Sequence, residues 1–377
     1  MSTQLWCFEA LDSWFFRESR PHGAVGASEL ASLFPPPART VAGAVRTLIG
    51  EVTGVDWRHF ASEPDWAELR ELIGVGDKLG QLMLRGPFLM KDGSRLYPAP
   101  LHLLEQTSEL QAQENKSTYV RLRPGAPVSC DLGTVRLPEM STPIPGAKPL
   151  EQVWLTDTDL LTVLTGGTPR NPLRKIDLFH EEPRLGIARD NARRTVKESL
   201  LYQTRHIRLA EGVSVGVGVS GLWDKPLANS VLRFGGEGRP AGIRIAGECP
   251  LLSVPAVRSQ NIVLLLLTHA DFAGTWLPAG FKPVPVGESG IDCWRGELHG
   301  ITLTLHSACI GKAVREGGWD LVTRQPRPVT GLVPAGSVYF CTVDGDPEVA
   351  VKTLHGSHIG DDLQLGRGEL AVGFWQE

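Results

Sequence analysis

A chain of 377 residues, 42% hydrophobic and 21% charged, is long enough for one large core or two, and about 150 residues per domain favours two. Its longest aliphatic run, residues 262–267, falls far short of the ~20 residues that cross a bilayer. Glu9 and Asp12 interrupt an N-terminus with no basic stretch, so neither a membrane span nor a signal peptide is expected.

Taken in chain order, "QLWCFEALD" alternates like a strand, with Leu5, Cys7 and Glu9 on one side and Trp6, Phe8 and Ala10 on the other. A loop broken by glycine and proline follows and carries Arg17, Arg20 and His22. In "FPPPARTVAGAVRTLIG" three prolines precede a helical pattern. Proline is tolerated up to the first helical turn, so the helix is predicted to start near residues 37–39. Val41, Val45, Leu48 and Ile49 form its apolar stripe. Arg39, Gly43 and Arg46 fall within about 40° of one another on the opposite side. A mid-helix glycine costs roughly 1 kcal/mol against alanine, which points to close approach by another chain or element. Two readings stay open: an RNA backbone lying across the arginines, or tight packing on the sheet with the arginines solvated.

Beyond residue 51 comes a connection with one amphipathic helix in "PDWAELRELI", then a hairpin turning at Asp92-Gly93. Residues 131–149 are proline-rich and predict a surface loop, and 156–165 a short helix with Asp157 or Asp159 near its start. After residue 210 short strands dominate, with helix signals near 250–258 and 355–363. Strands with a few helices to one side predict an α+β fold.

The charge is unevenly placed. The net charge is −4, yet the 25 residues from Arg184 to Arg208 hold seven Arg and Lys against two acids, a local +5 on a remainder of −9. Such a patch suits phosphate; a solvated loop is the plain alternative. Six scattered cysteines without a CxxC pair predict reduced, mostly buried thiols in a cytoplasm and argue against zinc. "GVGVSG" (Gly216, Gly218, Gly221) matches a dinucleotide glycine pattern but sits in an alternating strand with no helix after it. "HGSHIGDD" offers His355, His358, Asp361 and Asp362 at helical spacing, without a second carboxylate-rich segment to complete a metal site. His22 beside Arg20 has the groups for metal-free RNA cleavage, though a lone histidine in such a turn is usually structural.

"FFRESRPHG", "FPPPARTVAGAVR", "PRLGIARDNARRTVKESLLYQTRHIRL", "FGGEGRPAG", "PAGSVYF" and "LGRGELAVGFW" together resemble the RAMP proteins of CRISPR–Cas systems. They are most similar to the third-subunit family of type III-B Cmr effector complexes, the group that caps the guide-RNA 5′ end. The resemblance implies two ferredoxin-like, RRM-related domains, 1–210 and 211–377, with a basic thumb-like β-hairpin at about 183–209. It implies a non-catalytic, cytoplasmic subunit without cofactor or metal. Such a subunit holds the crRNA 5′ tag, docks the large polymerase/cyclase-like subunit and a backbone RAMP subunit, and meets target RNA indirectly. Phosphate contacts are then expected from Arg39, Arg46, Arg189, Arg193, Arg194 and Lys197, with Arg184 and Arg205 in the same run and Arg17, Arg20 and His22 in the first loop. Tyr202 or His206 would stack on unpaired bases. Gly235, Gly236 and Gly238, beside Arg239, would admit RNA or a turn partner, and Arg367 lies in the terminal glycine loop. Two rivals stand beside this reading: a metal-independent endoribonuclease using His22, and a scaffold whose basic hairpin docks an acidic protein surface.

Overall fold

The computed structural model describes residues 3–18, 28–106, 117–131, 133–190, 192–193, 195–223, 229–286, 291–320 and 324–376. The expected first strand, β1 (Gln4–Ala10), buries both faces. Leu5 and Cys7 meet Phe88, Met90 and Cys249. Trp6 and Phe8 turn the other way, into the main core with the helix Ala38–Val52. That helix starts where the prolines end and buries the predicted stripe of Val41, Val45, Leu48 and Ile49.

Four more strands complete the first sheet: β2 (Met83–Lys91), β3 (Val213–Ser220), β4 (Ser230–Arg233) and β5 (Pro240–Glu248). They run antiparallel in the order β4-β5-β1-β3-β2, with Ser94–Arg95 at the outer edge. That last pairing closes the expected turn, where Asp92 and Gly93 both take positive φ. The second sheet comprises β6 (Asn261–Leu266), β7 (Lys282–Val286), β8 (Ile291–Leu298), β9 (Ile301–Cys309), β10 (Val338–Val343) and β11 (Leu370–Phe374), in the order β7-β8-β9-β10-β6-β11. β6 is apolar on both sides because both are covered. Ile262, Leu264 and Leu266 face one core with the helix Pro347–Leu354. Val263 and Leu265 face another, supplied by Tyr97, Leu103, Leu155 and Leu160. The first half of the chain thus packs directly on the second sheet.

The strand-rich α+β architecture agrees with the sequence; several local expectations do not. Residues 131–149 hold an arm of a ribbon, Thr118–Cys130 against Gly133–Met140, rather than a loop. Residues 250–258 form neither helix nor strand. The C-terminal helix is Pro347–Leu354, capped by the Asp346 carboxylate, and ends before 355–363. The division expected at residue 210 falls inside the first sheet, because β3 pairs with β1 and β2 on either side. The helix at 156–165 is present as Asp157–Leu164, with Thr156 accepting from the Asp159 N–H. Among the described residues, no helix is long and apolar enough to cross a membrane.

Candidate nucleic-acid interface

The basic run forms a long antiparallel hairpin, Phe179–Asp190 against Thr195–Leu209, with a bulge between Ile187 and Arg189. Gly186 is needed in the ribbon because the Tyr202 ring lies where its Cβ would stand. Leu185 and Ile187 alternate onto the other side and are 72% and 56% exposed, so the arm carries an uncovered aliphatic row as well as charge. Its root is clasped by the chain after β1. Trp14 and Ile207 exchange backbone hydrogen bonds of 2.9 and 2.7 Å. Ser28–Leu30 pairs in parallel with Tyr202–Thr204, and the Ser32 hydroxyl donates to Arg205 O at 2.7 Å.

At this root the cations are neutralised. Arg184 bonds Asp12 and Glu182, Arg208 bonds the same two carboxylates, and Arg205 pairs with Glu29 and Glu181. Arg184 and Arg205, expected at the RNA, are committed to the protein, as is Arg208. His206 is corrected outright as a base-stacking residue. It is fully buried, its ring lies 5.4 Å from that of Phe15, and burial pushes its pKa down while Glu237 pulls it up. A neutral ring satisfies both neighbours, with Nε2 donating to Glu237 at 3.0 Å and Nδ1 accepting from Ser13 at 3.1 Å. Tyr202 is half-buried over Gly186.

Farther out, Arg193 is exposed in the turn, and Arg189 and Lys197 lie on the strands, their side chains outside the described residues. Arg20, His22 and Arg194 are outside the described residues altogether. Arg17 is exposed and bridges Ser32 through its backbone.

The glycine turn has found its partner within the chain. Gly236 N–H donates to Phe15 O at 2.7 Å, and a Cβ on Gly235 would stand 2.6 Å from that oxygen. Gly238 alone stays open, and Arg239 reaches Asp12 at 3.2 Å.

The helix face also divides. Gly43 has open space around it, but Arg46 donates to Gly74 O and Gly76 O, both at 2.9 Å, and burial lowers its pKa. Arg39 pairs with Asp362 at 2.7 Å and lies near Asp77 and Glu316. The predicted clamp of two arginines is therefore a lock on neighbouring loops. Arg367 is buried and reaches Asp271, Glu316 and Asp362 at 2.8–3.2 Å, so it too is structural. Two residues on, the buried Glu369 takes Arg95 at 2.5 Å and Arg85 at 3.2 Å. Neither network was visible in the sequence. Both join the two halves, and beside them a cleft of about 330 Å³ opens between Phe34, Trp154, His269 and Lys312.

His355 and His358 serve the same joint, taking the Val372 N–H and meeting Arg367 O. Among the described residues no cluster could hold a metal ion. Gly216, of the dinucleotide pattern, lies mid-strand against the Phe88 ring.

A model of the CRISPR-associated Cmr3 proteins matches residues 6–375. The chain belongs to the Cmr3 family. No curated protein sequence matches it. Among solved structures, a chain of a type III-B Cmr-beta complex bound to cognate target RNA and AMPPnP is similar at 14% identity and TM-score 0.47, over 89% of this chain and 86% of that one. A Csm3–Csm4 subcomplex of a type III-A interference complex gives 10% identity and TM-score 0.39, over 99% and 100%. A Csm1–Csm4 cassette with pppApA gives 12% and 0.34, over 92% and 89%. As a Cmr3 family member, the chain has an arm, a root and a joint whose chemistry can be assigned separately.

Proposed function

We propose that this Cmr3 family chain is a non-catalytic crRNA-binding subunit of a type III-B effector complex, holding the 5′ tag of the guide and docking the large polymerase/cyclase-like subunit and a backbone subunit. The observation that carries the reading is the division of charge along the hairpin. The root arginines are matched by carboxylates, whereas the sequence of the outer segment, residues 189–198, holds four cations, Arg189, Arg193, Arg194 and Lys197, to two acids, Asp190 and Glu198. A two-stranded arm with a bare aliphatic row cannot be stabilised by its own packing, so it suits a partner that orders it. Each half is a ferredoxin-like unit on this reading, which the strand orders support. β5-β1-β3-β2 and β11-β6-β10-β9 both follow the fourth-first-third-second order of that fold. The first unit retains the helix Ala38–Val52 and the second Pro347–Leu354, and the units meet between β5 and β6.

Reversing Arg193 and Arg194 to glutamate is expected to weaken guide-RNA retention in the assembled complex while moving stability by less than about 0.5 kcal/mol, since their segment carries no buried-core pattern in the sequence. Each lost phosphate contact should flatten the salt dependence by roughly 0.7 on a single strand. Filter binding of tagged guide across a salt series measures this, and an unchanged slope would favour a protein partner. Incubating the purified chain with labelled repeat RNA separates the nuclease alternative, which requires cleavage products.

A further inference from the structure

We infer that Asp12 is a positioning residue for guide RNA, setting the angle at which the basic hairpin leaves the first sheet; this rests on the RNA-binding reading above. Asp12 lies two residues beyond β1. Its Oδ1 accepts from Arg208 at 2.9 Å, and its Oδ2 accepts from Arg184 at 3.0 Å and Arg239 at 3.2 Å. Arg184 and Arg208 stand on opposite strands of the hairpin, and Arg239 belongs to the glycine turn. One carboxylate thus ties four segments together. Glu182 closes the ring by accepting from Arg184 Nε at 2.8 Å and Arg208 Nε at 2.6 Å. Arg208 and Arg184 hold the Asp12 carboxyl at a pKa of about 2, so it stays ionised.

Magnitudes assign the network to orientation rather than to folding. Partly exposed ion pairs contribute little to stability, and the fold beneath is already secured by the buried Trp14, Phe16 and Phe234. Orientation is another matter. The strand from residue 183 to 190 extends about 23 Å at ~3.3 Å per residue, so a 10° change at the root moves the tip by roughly 4 Å, close to the spacing between neighbouring strands. A carboxylate has no attraction for phosphate, so any benefit of Asp12 to RNA binding must act through the arm it holds. Fixing the arm beforehand removes an ordering cost from binding.

The test uses the full chain and the assembled complex. Cys130 is exposed and the other five cysteines are buried, so a spin label there and one at Ala192→Cys report the arm's direction as a distance distribution. Asp12→Asn should broaden that distribution. It should also weaken tagged-guide binding by about tenfold with the salt slope unchanged, and Asp12→Glu should restore both. Should Asp12→Asn fail to fold, Arg239→Gln, which cuts the tether to the glycine turn together with the 3.7 Å pair to Glu237, carries the same two readouts. An unbroadened distribution overturns the proposal. So does tighter binding with a steeper salt slope, which would make Asp12 a screen over three cations. If reversing Arg193 and Arg194 leaves both affinity and slope unchanged, the RNA reading itself fails, and the distance distribution still judges Asp12.

Discussion

Glu369→Gln is expected to destabilise the chain by about 3–5 kcal/mol, because it leaves a buried arginine without its counter-charge. Arg95 is held between the rings of Phe88 and Tyr97, 4.2 and 4.7 Å from their centroids, and its guanidinium bonds both Glu369 oxygens at 3.2 and 2.5 Å. Burial would raise the Glu369 pKa, but Arg95 and Arg85 outweigh it and hold the carboxyl below its ordinary 4.5. The sign follows from that direction. The pair stabilises the fold above the carboxyl's unfolded value, and its contribution is lost as pH falls through the lower folded value. The Asp12 ties, with the carboxyl held at about 2 against 3.8, are lost as pH falls through that range. Denaturant melts of Glu369→Gln, alone and combined with Arg95→Met, decide the matter. The double variant should recover part of the loss, since Arg95→Met removes the buried cation that Glu369→Gln leaves without its counter-charge. A single variant within about 1 kcal/mol of wild type would mean that water reaches the site.

The second large effect is expected at Val45→Asp, which places a carboxylate where the side chain is fully buried. An unpaired buried charge costs several kcal/mol, enough to unfold the first half. Gly43→Leu, two residues away, should do the reverse. Among the described residues nothing outside its own helix approaches within 4 Å of a Cβ there, so leucine gains helix propensity of up to about 1 kcal/mol. The glycine meets no other element among the described residues, and its replacement is expected to weaken guide-RNA binding in the complex while leaving the melt intact. Thermal melts and filter binding of the pair test this. Unchanged RNA binding by Gly43→Leu would remove this face from the interface.

What the sequence could show depended on how far apart the interacting residues lie. β1 and the helix Ala38–Val52 were legible because their periodicity is local; the helix buries the stripe its pattern marks, and β1, whose two alternating sets were both readable, buries both faces. The ribbon within 118–140 was not, because Pro124, Pro127 and Pro138 mask its strands. Pro124 faces Pro138, and the register shifts between Pro124 and Pro127. Basic residues could be counted, but their partners could not. Arg39 meets Asp362 across 323 positions and Arg184 meets Asp12 across 172, and no spacing rule reaches that far. His206 looked like an exposed ring because its strand is polar; the clasp that buries it comes from the chain after β1. The domain division was misplaced for a related reason, since a sheet assembled from residues 4 to 248 shows no break at 210.

The bond between Arg95 and Glu369 spans 274 positions, and this sets a timetable for synthesis. At roughly 5–20 residues per second, about 15–55 s separate the two residues on the ribosome. Every strand of the first sheet can have emerged by then, yet one edge holds two arginines whose carboxylate has not been made. Through that interval the edge lacks its counter-charge, and the network can close only after Glu369 has been made.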